Sequence, residues 1–266
     1  MEVLIYLPFM GMLAGFLAGL LGIGGGIVLV PVLIYLLPIL PMVNEDNVAI
    51  LAIATSLATV IVTAFSSSKS HFKKGNVDIR FALPVVVAAA LTSIIASHVA
   101  ALLASKTLTL IFAIMLMILS VQTFRGGKKL NLEGVVPSKL QLIFGGSLTG
   151  FLASLAGLGG GAILVPYLTY IGVGIRKSIG TAALCSMVVA LFGSSGYLIA
   201  GWHWTESDQF IGFIHWPSAL CITLFSYFAA PFGVKVGQSL DQVQLKKVFA
   251  VFMVIVSVKL LVEQFI

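Results

Sequence analysis

Charge is what this chain has least of. Of its 266 residues 9% are Asp, Glu, Lys or Arg and 59% are hydrophobic. A soluble domain carries roughly 25% charged residues, so most of this surface must face something other than water. Cysteine is scarce too. Cys185 and Cys221 each stand alone in an apolar segment, which excludes a disulfide framework and paired metal-ligand spacing. No HExxH motif occurs, and neither a metal nor a cofactor is expected. Carboxylates are missing from the apolar runs. Glu2, Glu45, Asp46, Asp78, Glu133, Glu206, Asp208, Asp241 and Glu263 all fall between the runs or at their ends, so the intramembrane carboxylate of a proton or sodium relay is lacking. The start, Met1-Glu2-Val3-Leu4, has no basic n-region and is read as mature sequence.

What is present is apolar sequence in long runs, which indicates an all-α polytopic membrane protein with the lipid bilayer as its main partner. The net charge of +6 does not point to nucleic acid, because the basic residues sit between apolar stretches as topological anchors. The strongest internal signal is a repeat. Residues 15–33, GFLAGLLGIGGGIVLVPVL, and 150–168, GFLASLAGLGGGAILVPYL, are identical at 13 of 19 positions. The chain therefore reads as a duplication, 1–128 and 129–266, forming one membrane domain with Arg125–Lys139 as its linker. Each half has a long glycine-interrupted region (3–40 and 140–172) followed by three spans. These are 49–67, 81–103 and 108–124 in the first half and 179–200, 216–234 and 248–264 in the second. The interrupted regions suit helical hairpins with one longer leg, a turn at the glycines and a short leg of about ten residues, too short to cross the ~30 Å hydrocarbon core.

Basic residues set the orientation. Lys69, Lys73, Lys74 and Arg80 cluster in one loop, and Arg125, Lys128, Lys129 and Lys139 in the linker. Lys246 and Lys247 precede the last span, whereas 201–215 has no Lys or Arg. The positive-inside rule then makes the halves inverted-topology repeats, each a glycine-broken hairpin plus three transmembrane helices, the plan of many secondary transporters. At the turns, Gly24, Gly25 and Gly26 and their counterparts Gly159, Gly160 and Gly161 can bring backbone N–H groups against an anion. Thr55, Ser56 and Thr181 open the spans that follow and are the candidate hydroxyls. Gly11, Gly15 and Gly19, matched by Gly146, Gly150 and Ser154, form a ridge at four-residue spacing that suits helix packing. Gly193-Ser194-Ser195-Gly196 fits the pattern of intramembrane serine hydrolases, with His98 as the nearest candidate base. Ser195 has no counterpart in the first half.

With GLLGIGGGIVLVPVL, ATSL at 54–57, KKGNVD at 73–78, ASLAGLGGGAILVPYL and GTAA at 180–183, the chain resembles the TauE/SafE family of sulfite exporters and anion permeases over essentially its whole length. The resemblance implies movement of sulfite, sulfonates or related sulfur oxyanions and carboxylates across the bacterial cytoplasmic membrane. The expected protein is a multi-pass secondary transporter rather than an enzyme, working by alternating access on a small anion. An anion channel and a Ser195 hydrolase are the alternatives, and a homo-oligomer is left open. On this topology, cysteines placed at Asn44 and Ser207 should be labelled from outside sealed cells and one at Asn131 should not. Labelling at Asn131 would overturn the assignment.

Overall fold

The computed structural model describes residues 2–21, 25–40, 43–125, 137–204, 207–239 and 242–265. The described chain is helical apart from short links. The first half holds α1 (Glu2–Leu21), α2 (Gly26–Leu36), α3 (Val48–Lys73), α4 (Ile79–Ala101) and α5 (Ser105–Arg125). The second holds α6 (Lys139–Leu155), α7 (Gly161–Tyr170), α8 (Ile175–Ala200), α9 (Trp216–Ser239) and α10 (Gln242–Phe265). Between α8 and α9 a small hairpin pairs β1 (Phe210–Ile211) with β2 (Ile214–His215). Among the described residues four helices are long and apolar enough to cross a bilayer, within Glu45–Lys73, Ile79–Ala101, Ser105–Phe124 and Ile175–Ala200. The expected short legs are present: α2 has 11 residues and α7 has 10, about 16 and 15 Å of helix, half a hydrocarbon core. The structure extends α3 past the expected end at 67. Ser66, Ser67 and Ser68 are ordinary helical residues, and the helix stops only where Gly75 turns the chain with φ +67.

Most large side chains of α4 face out and mostly small ones face in. On α4 the outward stripe is Leu83, Val87, Leu91 and Ile95, spaced by one turn, while the buried face is Ala82, Val85, Ala88, Ala89, Ser93, Ala96, Ser97 and Ala100. Such a surface matches lipid tails, and the small inner face lets helix backbones approach closely. Glycine carries that approach furthest. A Cβ at Gly11 would lie 3.0 Å from Ile222 Cα, and one at Gly15 would collide with the Ser226 backbone. Gly146 and Gly150 abut the Val85 and Ala89 carbonyls in the same way. So α1 runs parallel to α9, and α6 parallel to α4. Hydroxyls donating to carbonyls of other helices join the pairs, Ser226 to Gly11 at 2.8 Å and Ser93 to Gly150 at 3.3 Å, and Ser97 to Gly193 at 2.9 Å ties α4 to α8.

Two further pairs are antiparallel. Leu57, early in α3, rests on Gly193, late in α8, whereas Asn76, just past α3, rests on Gly180, early in α8. On α5 and α10, Ser120 donates to the Ala250 carbonyl at 2.9 Å and Ser257 to the Ala113 carbonyl at 2.7 Å. Gly15→Ala and Gly146→Ala should each lose about 1–3 kcal/mol by overpacking. Gly174→Ala, where nothing lies within 4 Å of the added methyl, should not. Thermal unfolding in nanodiscs checks this; equal melting of all three would refute the close-approach reading.

Candidate functional site

The second glycine turn is built on a helix end. At the close of α6, Leu158 N–H donates to the Ala153 carbonyl at 2.8 Å and Gly157 N–H to Ser154 at 3.3 Å. This is a Schellman cap with glycine at its left-handed position. Gly157 has φ +66, so the special backbone conformation belongs to Gly157. Gly25 and Gly160 are the N-caps of α2 and α7, with ordinary φ of −72 and −55 and no side-chain cap. The counterpart of Gly157, Gly22, lies outside the described residues, and so does the candidate Gly24.

The two turns meet. The first residue of α2, Gly26, rests against the Gly157 carbonyl, and a Cβ there would lie 3.1 Å from Leu158 Cα. The Ser56 hydroxyl donates to the same carbonyl at 3.0 Å. After this seam the backbone is left open. Ile163 and Leu164 N–H groups share the Gly160 carbonyl, while those of residues 159–162 find no acceptor among the described residues. Around them, a Cβ at Gly159 would lie 3.3 Å from Val60 and 3.6 Å from Ser186 Cβ. One at Gly161 would meet only the Ser186 hydroxyl at 3.3 Å, and one at Gly160 the Thr149 methyl at 2.6 Å. Gly26, Ser56, Gly159, Gly160 and Gly161 are thus in or beside one seam. Thr181 is fully buried on α8 with no partner for its hydroxyl, as are Thr149 and Ser154, while Ser194 is 4% exposed and equally unpartnered. Ser186 and Thr149 were not foreseen.

Thr55 faces away from the seam. Its Oγ1 accepts the His215 N–H at 3.0 Å, tying the α8–α9 hairpin onto α3 about 10 Å in from that helix's start. His215 is 2% exposed. Its Nδ1 is 2.7 Å from the Ser218 hydroxyl and its Nε2 is 3.3 Å from Gln209 Oε1. Phe210 packs on its ring, and Trp204 packs on Phe210 and Phe213. Although it closes the segment 201–215 that has no Lys or Arg, His215 is folded inward. At the opposite end of α3, a cleft of about 470 Å³ lies between α3 and α8, lined by Phe65, Ser68, Lys69, Phe72, Lys73, Leu184 and Met187. One apolar layer, Val60, Ala64 and Ala190 with Ile61 and Met187 against them, separates this cleft from Gly159. The arrangement offers amide and hydroxyl donors.

Ser195 and His98 do not pair. Ser195 is exposed and its hydroxyl back-bonds to the Leu191 carbonyl at 2.8 Å, while His98 Nδ1 is 2.9 Å from the Ile94 carbonyl. Among the described residues no group of three His, Cys, Asp or Glu could hold a metal.

Comparison with known proteins agrees with these features. The family model described as sulfite exporter TauE/SafE matches residues 7–260. A probable membrane transporter protein of Haemophilus influenzae is 35% identical, over 95% of this chain and 96% of its own length. The probable membrane transporter protein YunE of Bacillus subtilis is 23% identical over 97% of each chain. A probable membrane transporter protein of Methanocaldococcus jannaschii is 24% identical over 92% of this chain and 91% of its own. No solved structure matches.

Burial pushes His215 from its ordinary 6.5 down to about 4. Between those values an opened or unfolded chain takes up a proton that the closed hairpin refuses. Stability is therefore full above about pH 6.5 and falls on the order of 3 kcal/mol as the pH drops towards 4. The melting temperature of the parent should decline over this window more steeply than that of His215→Gln. Equal slopes would show that His215 is not held neutral by the fold.

Proposed function

The chain belongs to the sulfite exporter TauE/SafE family, and we propose that it is a secondary transporter moving a small anion, a sulfite, sulfonate, related sulfur oxyanion or carboxylate, across the bacterial cytoplasmic membrane by alternating access. The observation that carries the reading is the meeting of the two glycine turns, Gly26 on Gly157, on the flank of the antiparallel α3–α8 pair. Helix directions support the duplication 1–128 and 129–266 with inverted halves. The α1–α9 and α6–α4 pairs are parallel and the α3–α8 and α5–α10 pairs antiparallel. With the chain reversing after α3 and after α8, these directions oppose α1 to α6, α3 to α8, α4 to α9 and α5 to α10, which supports the inverted reading.

In this reading the anion binds at Gly24–Gly26 and Gly159–Gly161 through backbone N–H groups, with Ser56 and Thr181 beside them and Thr55 holding the outer closure. Unpaired amides in a membrane interior are tolerated where they line a site or a water-filled cavity, which fits residues 159–162. Alternating access then means release of one closure at a time: the His215 hairpin at one end, and the layer of Val60, Ala64 and Met187 at the other. Saturable uptake and exchange of labelled sulfite in proteoliposomes are expected, and a non-saturating flux without exchange would mean a channel.

Gly161→Ala is the cleanest test of the site. The added methyl meets one flexible hydroxyl, and alanine favours a helix by about 1 kcal/mol over glycine, so melting should hold or rise. A displaced anion loses charge-assisted hydrogen bonds worth roughly 1.5–3 kcal/mol each, so affinity for the transported anion should fall at least tenfold. Unchanged affinity would remove the site from this turn.

A further inference from the structure

The charge that the turn can hold follows from what surrounds it. The ten-residue helix α7 opens at Gly161, with the N–H groups of residues 159–162 lacking acceptors among the described residues. Thr149, fully buried on α6, lies over the same turn. Its methyl would be 2.6 Å from a Cβ at Gly160, and the hydroxyl on the same carbon has no partner. Ser186 covers the other face: its hydroxyl donates to the Ala182 carbonyl at 2.8 Å and lies 3.3 Å from a Cβ at Gly161. The start of α2 arrives beside them, with Gly26 on the Gly157–Leu158 peptide. Each helix start carries roughly half a positive elementary charge, so the two amount to about one. Nothing else nearby adds charge. Among the described residues the buried polar side chains are Ser and Thr hydroxyls together with His215, which burial keeps neutral. Lys69 and Lys73 are exposed on the far side of the Val60–Met187 layer.

We infer that this turn takes its anion as a single negative charge carried on oxygen, a sulfonate-, hydrogensulfite- or carboxylate-type monoanion, and rejects dianions of the same size. The inference rests on the proposed transport function with its site at the glycine turns. Two helix starts balance one charge, and Thr149 brings the one hydroxyl that lacks a partner among the described residues at this turn. A second would stand uncompensated in a low-dielectric interior, where unpaired charge is strongly disfavoured. The lysines of the cleft would draw dianions more strongly than monoanions, so discrimination falls to the turn itself.

The test is calorimetric binding to the full chain in nanodiscs, with methanesulfonate, sulfate and methylphosphonate as probes. Methanesulfonate should bind at least tenfold more tightly than sulfate. Affinity for methylphosphonate should fall at least tenfold from pH 6.5 to 8.5, as it passes from monoanion to dianion, while methanesulfonate stays constant. Thr149→Val, which keeps the side-chain shape and removes the unpartnered hydroxyl, should weaken methanesulfonate and leave the preference over sulfate in place. Sulfate binding as well as methanesulfonate, or methylphosphonate unaffected by its second ionisation, would overturn the charge selection and leave the transport reading standing. Binding of none of the three probes, or methanesulfonate binding untouched by Thr149→Val, would remove the anion from this turn and overturn both.

Discussion

An amide with nothing to bond is expensive in a bilayer, where water cannot take the place of a missing partner. This protein interrupts a helix inside its apolar body and so must enclose the interruption. The Schellman cap answers for two N–H groups at the end of α6, and Ser56 takes the Gly157 carbonyl. The N–H groups of residues 159–162 have no such answer among the described residues, and Val60, Thr149 and Ser186 pack around them. That is why glycine recurs at the helix contacts. Only backbone touching backbone, as at Gly15 on Ser226 and Gly146 on Val85, draws α9 and α4 tightly enough around the two broken hairpins.

The enclosure differs at its two flanks. Under the proposed duplication, the spacing that pairs Thr55 with Thr181 also pairs Val60 with Ser186, and both stand beside Gly159. One half thus supplies a methyl where the other supplies a hydroxyl. A site made of two related halves need not be symmetric, and here its polar character comes mostly from the second half. Thr55 and Thr181 diverge as well: one accepts the His215 N–H, while the other is buried without a partner.

Much of the fold was legible because bilayer thickness and hydrophobic run length measure the same thing. The spans, the short legs and the packing ridge follow from apolar length and glycine spacing alone. The expected end of α3 at 67 fell short because Ser66–Ser68 are polar without being helix breakers; the stop waits for Gly75. The glycine triplets drew attention to Gly25 and Gly160, whereas the left-handed residue is Gly157, set by the register of a cap that composition does not reveal. Ser186 could have been found by extending the repeat offset five residues beyond Thr181. His215 could not, because its defining contact lies 160 residues away on Thr55. Thr149 is equally hidden, since its role depends on α6 folding back over a turn of its own hairpin.

The two ends of the enclosure are made of different materials. One is stitched by the hydrogen bonds of His215 to Thr55 and Ser218; the other is a plug of Val60, Ala64 and Met187 with no polar atom to hold it. Apolar contact near room temperature is held by solvent entropy and weakens on cooling, whereas hydrogen bonds are held by enthalpy. A cold membrane therefore loosens the plug while tightening the stitched end. Under the proposed alternating access, the resting preference between the two faces would be coupled to the growth temperature of the cell that carries the protein.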